Sequence, residues 1–151
     1  EEIKNEFRFN LYVILVASIL VGEVFISSGL ADMVSSWILQ VVMPFGFNGI
    51  VLGLMLFTTL LTSFITNVAA VSIAFPLAYS ISASTGIPGE ALFLAVAFAA
   101  SAAFMTPIGY QTNLLVMAPG DYKFNDFFKI GAPLTLLYLV VVWGYLNIIY
   151  A

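Results

Sequence analysis

The chain has 151 residues, of which 62% are apolar and 8% charged; a soluble domain typically carries about 25% charged residues. With a mean hydropathy of +1.10, an ordinary soluble globule is excluded, and four basic residues against eight acidic ones cannot line a nucleic-acid backbone. The absence of Cys and His removes disulfides, thiolate or imidazole metal sites and histidine bases, which leaves an integral membrane protein or a piece of one.

The first residues, Glu1-Glu2-Ile3, carry neither a Met nor a signal-peptide pattern, so the chain reads as a segment of a longer polypeptide. Phe9 to Ser28 is an uninterrupted apolar run long enough to cross a hydrocarbon core of about 30 Å, with Gly29 as its expected C-cap. Glu23 near its far end is an intramembrane acid and so a functional candidate. The simpler account is a carboxylate near the headgroups or bonded to a neighbouring helix.

Leu30 to Met43 mixes Asp32, Ser35, Ser36 and Gln40 with Val34, Trp37 and Ile38. It is too short to span and amphipathic, which predicts a helix lying near the interface with Trp37 as an anchor. Pro44, Gly46 and Gly49 are expected to end it.

Residues 48–85 read as two helical arms around Thr62-Ser63-Phe64-Ile65-Thr66-Asn67. That middle is polar yet uncharged, and it lacks the Lys, Asp or Gly-Pro punctuation of a surface loop. This favours a re-entrant hairpin whose turn is buried in protein at membrane depth; two complete spans are the alternative, and both return the chain to the side it left. Thr58, Thr62 and Thr66 recur every four residues and are expected to stack on one helix face.

Residues 90–118 read as a broken transmembrane helix. Glu90 suits the first turn, and Ala91, Ala95, Ala99 and Ala103 form a small-residue face that lets another helix approach. The break is expected at Thr106-Pro107-Ile108-Gly109, before the helix resumes through Asn113. Interrupted helices free backbone groups and often supply ion and substrate sites in transporters, although a simple proline kink fits the same residues. An amphipathic stretch, Tyr122 to Lys129, precedes a last transmembrane helix over 127–149, whose Trp143, Tyr145 and Tyr150 suit the far interface.

All four basic residues, Lys4, Arg8, Lys123 and Lys129, precede the first or the last apolar run. The positive-inside rule makes both places cytoplasmic. One crossing by the first helix, none net by the hairpin and one by the broken helix satisfies this, and leaves the C-terminus extracytoplasmic.

The two uncharged polar clusters, Thr62–Asn67 and Thr106–Asn113, offer hydroxyls, amide oxygens and freed carbonyls, the hard donors sodium requires. The start of the second hairpin arm offers an anion its backbone amides. The alternative is that these groups only join helices, each worth about 1 kcal/mol or less.

The run Thr62-Ser63-Phe64-Ile65-Thr66-Asn67-Val68-Ala69-Ala70, followed by Ala99-Ala100-Ser101-Ala102-Ala103-Phe104-Met105-Thr106-Pro107-Ile108-Gly109-Tyr110-Gln111-Thr112-Asn113 and by Gly131-Ala132-Pro133-Leu134, resembles the divalent anion/sodium symporter family over nearly the whole chain. The resemblance implies an all-α integral membrane fold, namely the C-terminal half of an inverted-repeat elevator transporter acting as a homodimer. It implies that residues 9–28 are scaffold, 30–43 an arm helix and 48–85 the hairpin. It also implies a sodium site at Thr62, the Ile65 carbonyl, Asn67 and the Gly109 carbonyl. Substrate contacts fall on Thr66, Asn67, the Val68 amide and Gln111, with Ser63, Thr106, Pro107 and Asn113 in support. No cofactor is implied beyond sodium as the coupling ion.

Departures from the family pattern at two places matter. At the hairpin tip Thr66 stands where the motif has Ser, which keeps a hydroxyl, and Val68 stands where it has Thr, which removes one from the substrate side. Tyr110-Gln111-Thr112-Asn113 replaces the Thr-Pro-Pro-Asn of dicarboxylate carriers and looks more like bacterial sulfate-type permeases. A sulfate-like divalent anion is therefore expected over a dicarboxylate. The N-terminal repeat would supply the matching hairpin. A non-transporting membrane scaffold is the rival of another class; an enzyme is disfavoured, since no two acids are placed to cooperate.

Overall fold

The computed structural model describes residues 9–151, so Lys4 and Arg8 lie outside the described residues. It is helical: α1 (Phe9–Ser27), α2 (Leu30–Val42), a 3-10 turn (Met43–Phe45), α3 (Gly46–Thr62), α4 (Asn67–Thr85), α5 (Gly89–Ala100), α6 (Gln111–Met117) and α7 (Phe124–Tyr150), with no strand among the described residues. Three stretches, Leu30–Thr62, Asn67–Thr85 and Phe124–Tyr150, are long and apolar enough to cross a membrane. α1 has 19 residues, a rise of about 28 Å.

Glycines in the left-handed region turn the chain where L-residues are strained. Gly29 (φ 74) ends α1, its N–H bonded to the Ile26 carbonyl at 3.0 Å. Gly86 ends α4 in the same way, its N–H on the Ser82 carbonyl at 2.9 Å. Gly46, at φ 60 and ψ −148, breaks the path between α2 and α3.

Residues 42 and 53 would stand about 16 Å apart along one straight helix. Instead a Cβ on Gly53 would lie 2.7 Å from a Val42 methyl. The stretch Leu30–Thr62 is therefore folded back on itself and is not one rod. Gly49 does not end the arm as expected: with the turn completed at Gly46, it joins α3 and lets that helix close on the Val42 carbonyl.

The core lies between α3, α4, α5 and α7. Val51, Leu54 and Met55 meet Leu77, Ala78 and Ile81, then Leu92, Ala95, Val96 and Ala99, and the buried face of α7 at Leu139, Val142 and Leu146. The alanines of α5 permit its close fit to both hairpin arms. α2 is tied to α4 by a bond from the Ser80 hydroxyl to Asp32 Oδ1 at 2.7 Å, with Ser35 Oγ 3.1 Å from Ser80 Oγ. α7 is tied to the first turn of α3 by Trp143 Nε1, which donates to the Asn48 carbonyl at 3.0 Å. The opposite face of α7 stays apolar and open, to the extent of 87% at Ile148, which suits lipid or further transmembrane helices.

Two element boundaries differ from the sequence reading. The amphipathic stretch from Tyr122 is not separate: from Phe124 it forms one helix with the last apolar run. Asp126 starts that helix by accepting the Lys123 N–H at 2.9 Å, the reach-back of an N-terminal cap, and Pro133 sits inside it. The broken helix also ends earlier than expected, at Ala100 and not at Thr106. The Ser101 and Ala102 N–H groups turn back to the Phe98 and Ala99 carbonyls at 3.1 and 3.0 Å. These 3-10 bonds close the last turn well ahead of Pro107.

Candidate functional site: the hairpin tip and the interrupted helix

Between α3 and α4 the chain makes a tight turn over Ser63–Thr66. The Phe64 and Ile65 N–H groups return to the Leu61 carbonyl, both at 3.0 Å. Thr66 then leaves the helix face that Thr58 and Thr62 share. It takes an extended conformation and caps α4, its Oγ1 accepting the Ala69 N–H at 3.3 Å. Thr66→Ala is expected to destabilise the protein by about 1 kcal/mol, with Thr66→Ser neutral; thermal unfolding of the two variants in detergent measures this.

The turn meets the interrupted helix directly. Thr106, buried, donates its hydroxyl to the Ser63 carbonyl and accepts the Gly109 N–H at 3.3 Å. Gly109 lies so close beneath the tip that a Cβ there would be 2.8 Å from the Thr62 carbonyl and 2.7 Å from Ala103 Cβ. Asn113 Nδ2 donates to the Thr106 carbonyl at 3.2 Å and to the Ala103 carbonyl at 3.5 Å. Both carbonyls lie in the non-helical stretch between α5 and α6, where no helical N–H serves them, and Asn113 supplies the donor. Ser63, Thr106 and Asn113 thus form the frame joining the two clusters.

Within the frame sits a compact group of oxygens. Thr62 Oγ1, fully buried, is 2.7 Å from Asn67 Oδ1 and 2.8 Å from the Ala100 carbonyl. One hydroxyl hydrogen serves only one of those two acceptors. The Asn67 amide can meet the hydroxyl with its NH2 group; with its oxygen inward, the trio is a set of hard donors for a cation. Sequence reasoning missed Ala100. The signal is that the last carbonyls of a helix lack intrahelical partners, and α5 ends at Ala100. Thr59 makes the matching contact one turn earlier, its hydroxyl 3.4 Å from the Ala99 carbonyl.

The remaining candidates are placed as follows. Ile65 is half-buried in the turn, Thr66 and Val68 are exposed, and Asn67 is half-buried. Gln111 opens the short α6 and is exposed; no hydrogen bond joins its side chain to the tip among the described residues. The tip therefore gathers Thr62, Ser63, Asn67, Thr106, Gly109 and Asn113, and leaves Gln111 outside that network.

A family described as citrate transporter, CitMHS, matches residues 1–151. The chain belongs to the citrate transporter family. Among the relatives of this family member is an uncharacterized transporter of Synechocystis sp., 37% identical over 136 residues, which are 90% of this chain and 22% of that protein. The probable sodium/sulfate cotransporter 3 of Chlamydomonas reinhardtii is 29% identical over 93% of this chain and 16% of its own length. Sodium/sulfate cotransporter 1 of the same alga is 29% identical over 97% of this chain and 17% of its own length. This citrate transporter family member thus spans a quarter or less of each of these relatives. Its family and relatives are membrane transporters and not enzymes, in agreement with the divalent anion/sodium symporter resemblance.

Proposed function

We propose that the chain is the C-terminal repeat of a sodium-coupled symporter for a small divalent anion, with sulfate the favoured substrate. Thr62, Asn67 and the Ile65 and Gly109 carbonyls hold sodium, with the Ala100 carbonyl as a further oxygen. The anion meets Thr66, Asn67 and the Val68 N–H, one of the free first-turn donors where the α4 dipole favours negative charge. Gln111 approaches from α6. A matching N-terminal repeat completes the substrate site, and the protein works as a homodimer by an elevator movement. It lies in the cell membrane, with the N-terminal side of this segment cytoplasmic and its C-terminal side extracytoplasmic.

The observation that carries this reading is the trio of Thr62 Oγ1, Asn67 Oδ1 and the Ala100 carbonyl within 2.8 Å of the hydroxyl, held by a frame from two helix breaks. The sodium/sulfate names of the Chlamydomonas relatives support the ion and the substrate class. The family's own description favours a second reading, in which the same tip meets a carboxylate anion such as citrate or a dicarboxylate.

Radiolabelled sulfate uptake into proteoliposomes containing the full-length protein, with and without a sodium gradient, tests both. Sodium-driven uptake is expected for the wild type and is lost in Asn67→Ala. Uptake indifferent to Asn67→Ala removes the site assignment, and sodium-driven uptake of citrate or succinate in place of sulfate moves the substrate to the second reading.

A further inference from the structure

A cavity of about 770 Å3 lies between α1, α4 and α5, and its wall includes Gly22, Glu23, Asn67, Ser72, Pro76 and Ala100. It is mostly apolar, which makes its polar groups informative. Two of them, Asn67 and Ala100, are the residues whose oxygens flank the Thr62 hydroxyl. The cavity therefore reaches two of the three residues of that trio.

A third group comes from α4. Pro76 lies inside that helix and cannot donate to the carbonyl four residues before it, which is that of Ser72. This carbonyl is also where α1 comes closest: a Cβ on Gly22 would lie 3.1 Å from the Ser72 oxygen and 3.9 Å from the Pro76 ring. The glycine thus brings the backbone of α1 onto a carbonyl that the helix does not fully use. Glu23, the next residue, also lines this cavity and is exposed.

An acid within an apolar transmembrane run, as Glu23 is in the sequence, is costly in the hydrocarbon unless it is paired or hydrated. No Lys or Arg occurs between Arg8 and Lys123, so this segment has no fixed cation for Glu23 within the helices that form the cavity. Glu23 and Ser72 on one wall add a carboxylate and a freed carbonyl to Asn67 and Ala100, two members of the oxygen trio, and this set matches a small monovalent cation.

We propose that Glu23 is a cation-attracting residue of this cavity, holding sodium in transit between the α1 side and the Thr62–Asn67–Ala100 oxygens. The inference rests on the sodium-coupled reading above and adds to it a residue outside the hairpin and the interrupted helix. Glu23 acts on the ion and not on the anion, so its removal affects sodium dependence selectively.

The test is sodium titration of anion uptake by the full-length protein in proteoliposomes, for the wild type, Glu23→Gln and Glu23→Asp. Glu23→Gln is expected to raise the half-saturating sodium concentration on the order of tenfold, the equivalent of ~1.4 kcal/mol, while the anion KM at saturating sodium stays near wild type. Glu23→Asp restores most of the sodium affinity. Sodium-dependent thermal stabilisation of the purified proteins gives a readout that needs no transport, and shows whether Glu23→Gln is folded. A wild-type sodium response in Glu23→Gln overturns this inference and leaves the hairpin site standing. Absence of any sodium response in the wild type overturns the sodium-coupled reading and this inference with it.

Discussion

Gly131→Ala is expected to destabilise the protein by about 1–3 kcal/mol and to impair transport, the reverse of what the substitution does in most helices. Within a helix, alanine is ordinarily favoured over glycine by about 0.8–1 kcal/mol. Gly131 is buried inside α7, but its Cα faces the backbone of the interrupted helix. A Cβ there would collide with the Phe104 carbonyl group and lie 2.9 Å from Met105 Cα. These are backbone atoms and cannot rotate aside as a side chain does. Either α7 moves outward or the segment 104–106 is displaced, and Thr106 in that segment holds the hairpin tip through Ser63.

The same helix contains its own control. Nothing lies within 4 Å of a Cβ placed on Gly144, so Gly144→Ala is expected to be neutral or to stabilise by up to about 1 kcal/mol. Thermal unfolding of the full-length protein carrying each change gives opposite signs if the packing argument holds. A loss at Gly144 as well would place another helix of the transporter against that face of α7. An unchanged melting temperature for Gly131→Ala would mean that the 104–106 backbone yields easily, and would remove the case for a rigid frame beneath the tip.

What was legible in the sequence divides along a physical line. Turns fixed by local chemistry could be read directly: Gly29 adopts a left-handed conformation that few other residues tolerate, and an uncharged polar stretch between two apolar arms marks the turn at residues 63–66. Both polar clusters were visible because hydroxyls and amides are scarce in a chain so apolar. Proline misdirected the reading of the interrupted helix. Pro107 forbids one helical bond locally, but α5 ends at Ala100 because the Thr59 and Thr62 hydroxyls take up carbonyls at its C-terminal end and because Gly131 admits the backbone of Phe104. Both causes come from distant parts of the chain, and no residue near Ala100 announces them. Thr66 illustrates the same limit: four-residue spacing put it on the face of Thr58 and Thr62, but the turn ends that helix first and uses the Thr66 hydroxyl as a cap.

Thr62→Val tests the centre of the site with little change of shape, since valine replaces a hydroxyl by a methyl group. The wild-type hydroxyl is fully buried, 2.8 Å from the Ala100 carbonyl and 2.7 Å from Asn67 Oδ1. Removing it leaves the buried carbonyl without its donor, at a stability cost of about 1–3 kcal/mol. Thr62→Ser keeps the oxygen and is expected to keep function.

The larger effect is expected on sodium. A cation that loses one of its oxygen ligands in a buried site faces a methyl group in its place, so the half-saturating sodium concentration of Thr62→Val should rise at least about a hundredfold, the equivalent of ~2.8 kcal/mol. Anion uptake at ordinary sodium should then be close to absent. If the hydroxyl only joins α3 to α5, the outcome differs in kind: Thr62→Val melts earlier, but the protein that remains folded transports with wild-type sodium dependence. Measuring uptake against sodium on protein verified as folded separates the two, because glue between helices affects how much protein is native and a ligand affects what the native protein binds. The non-transporting scaffold reading makes a third prediction: both variants assemble normally and neither they nor the wild type moves an anion.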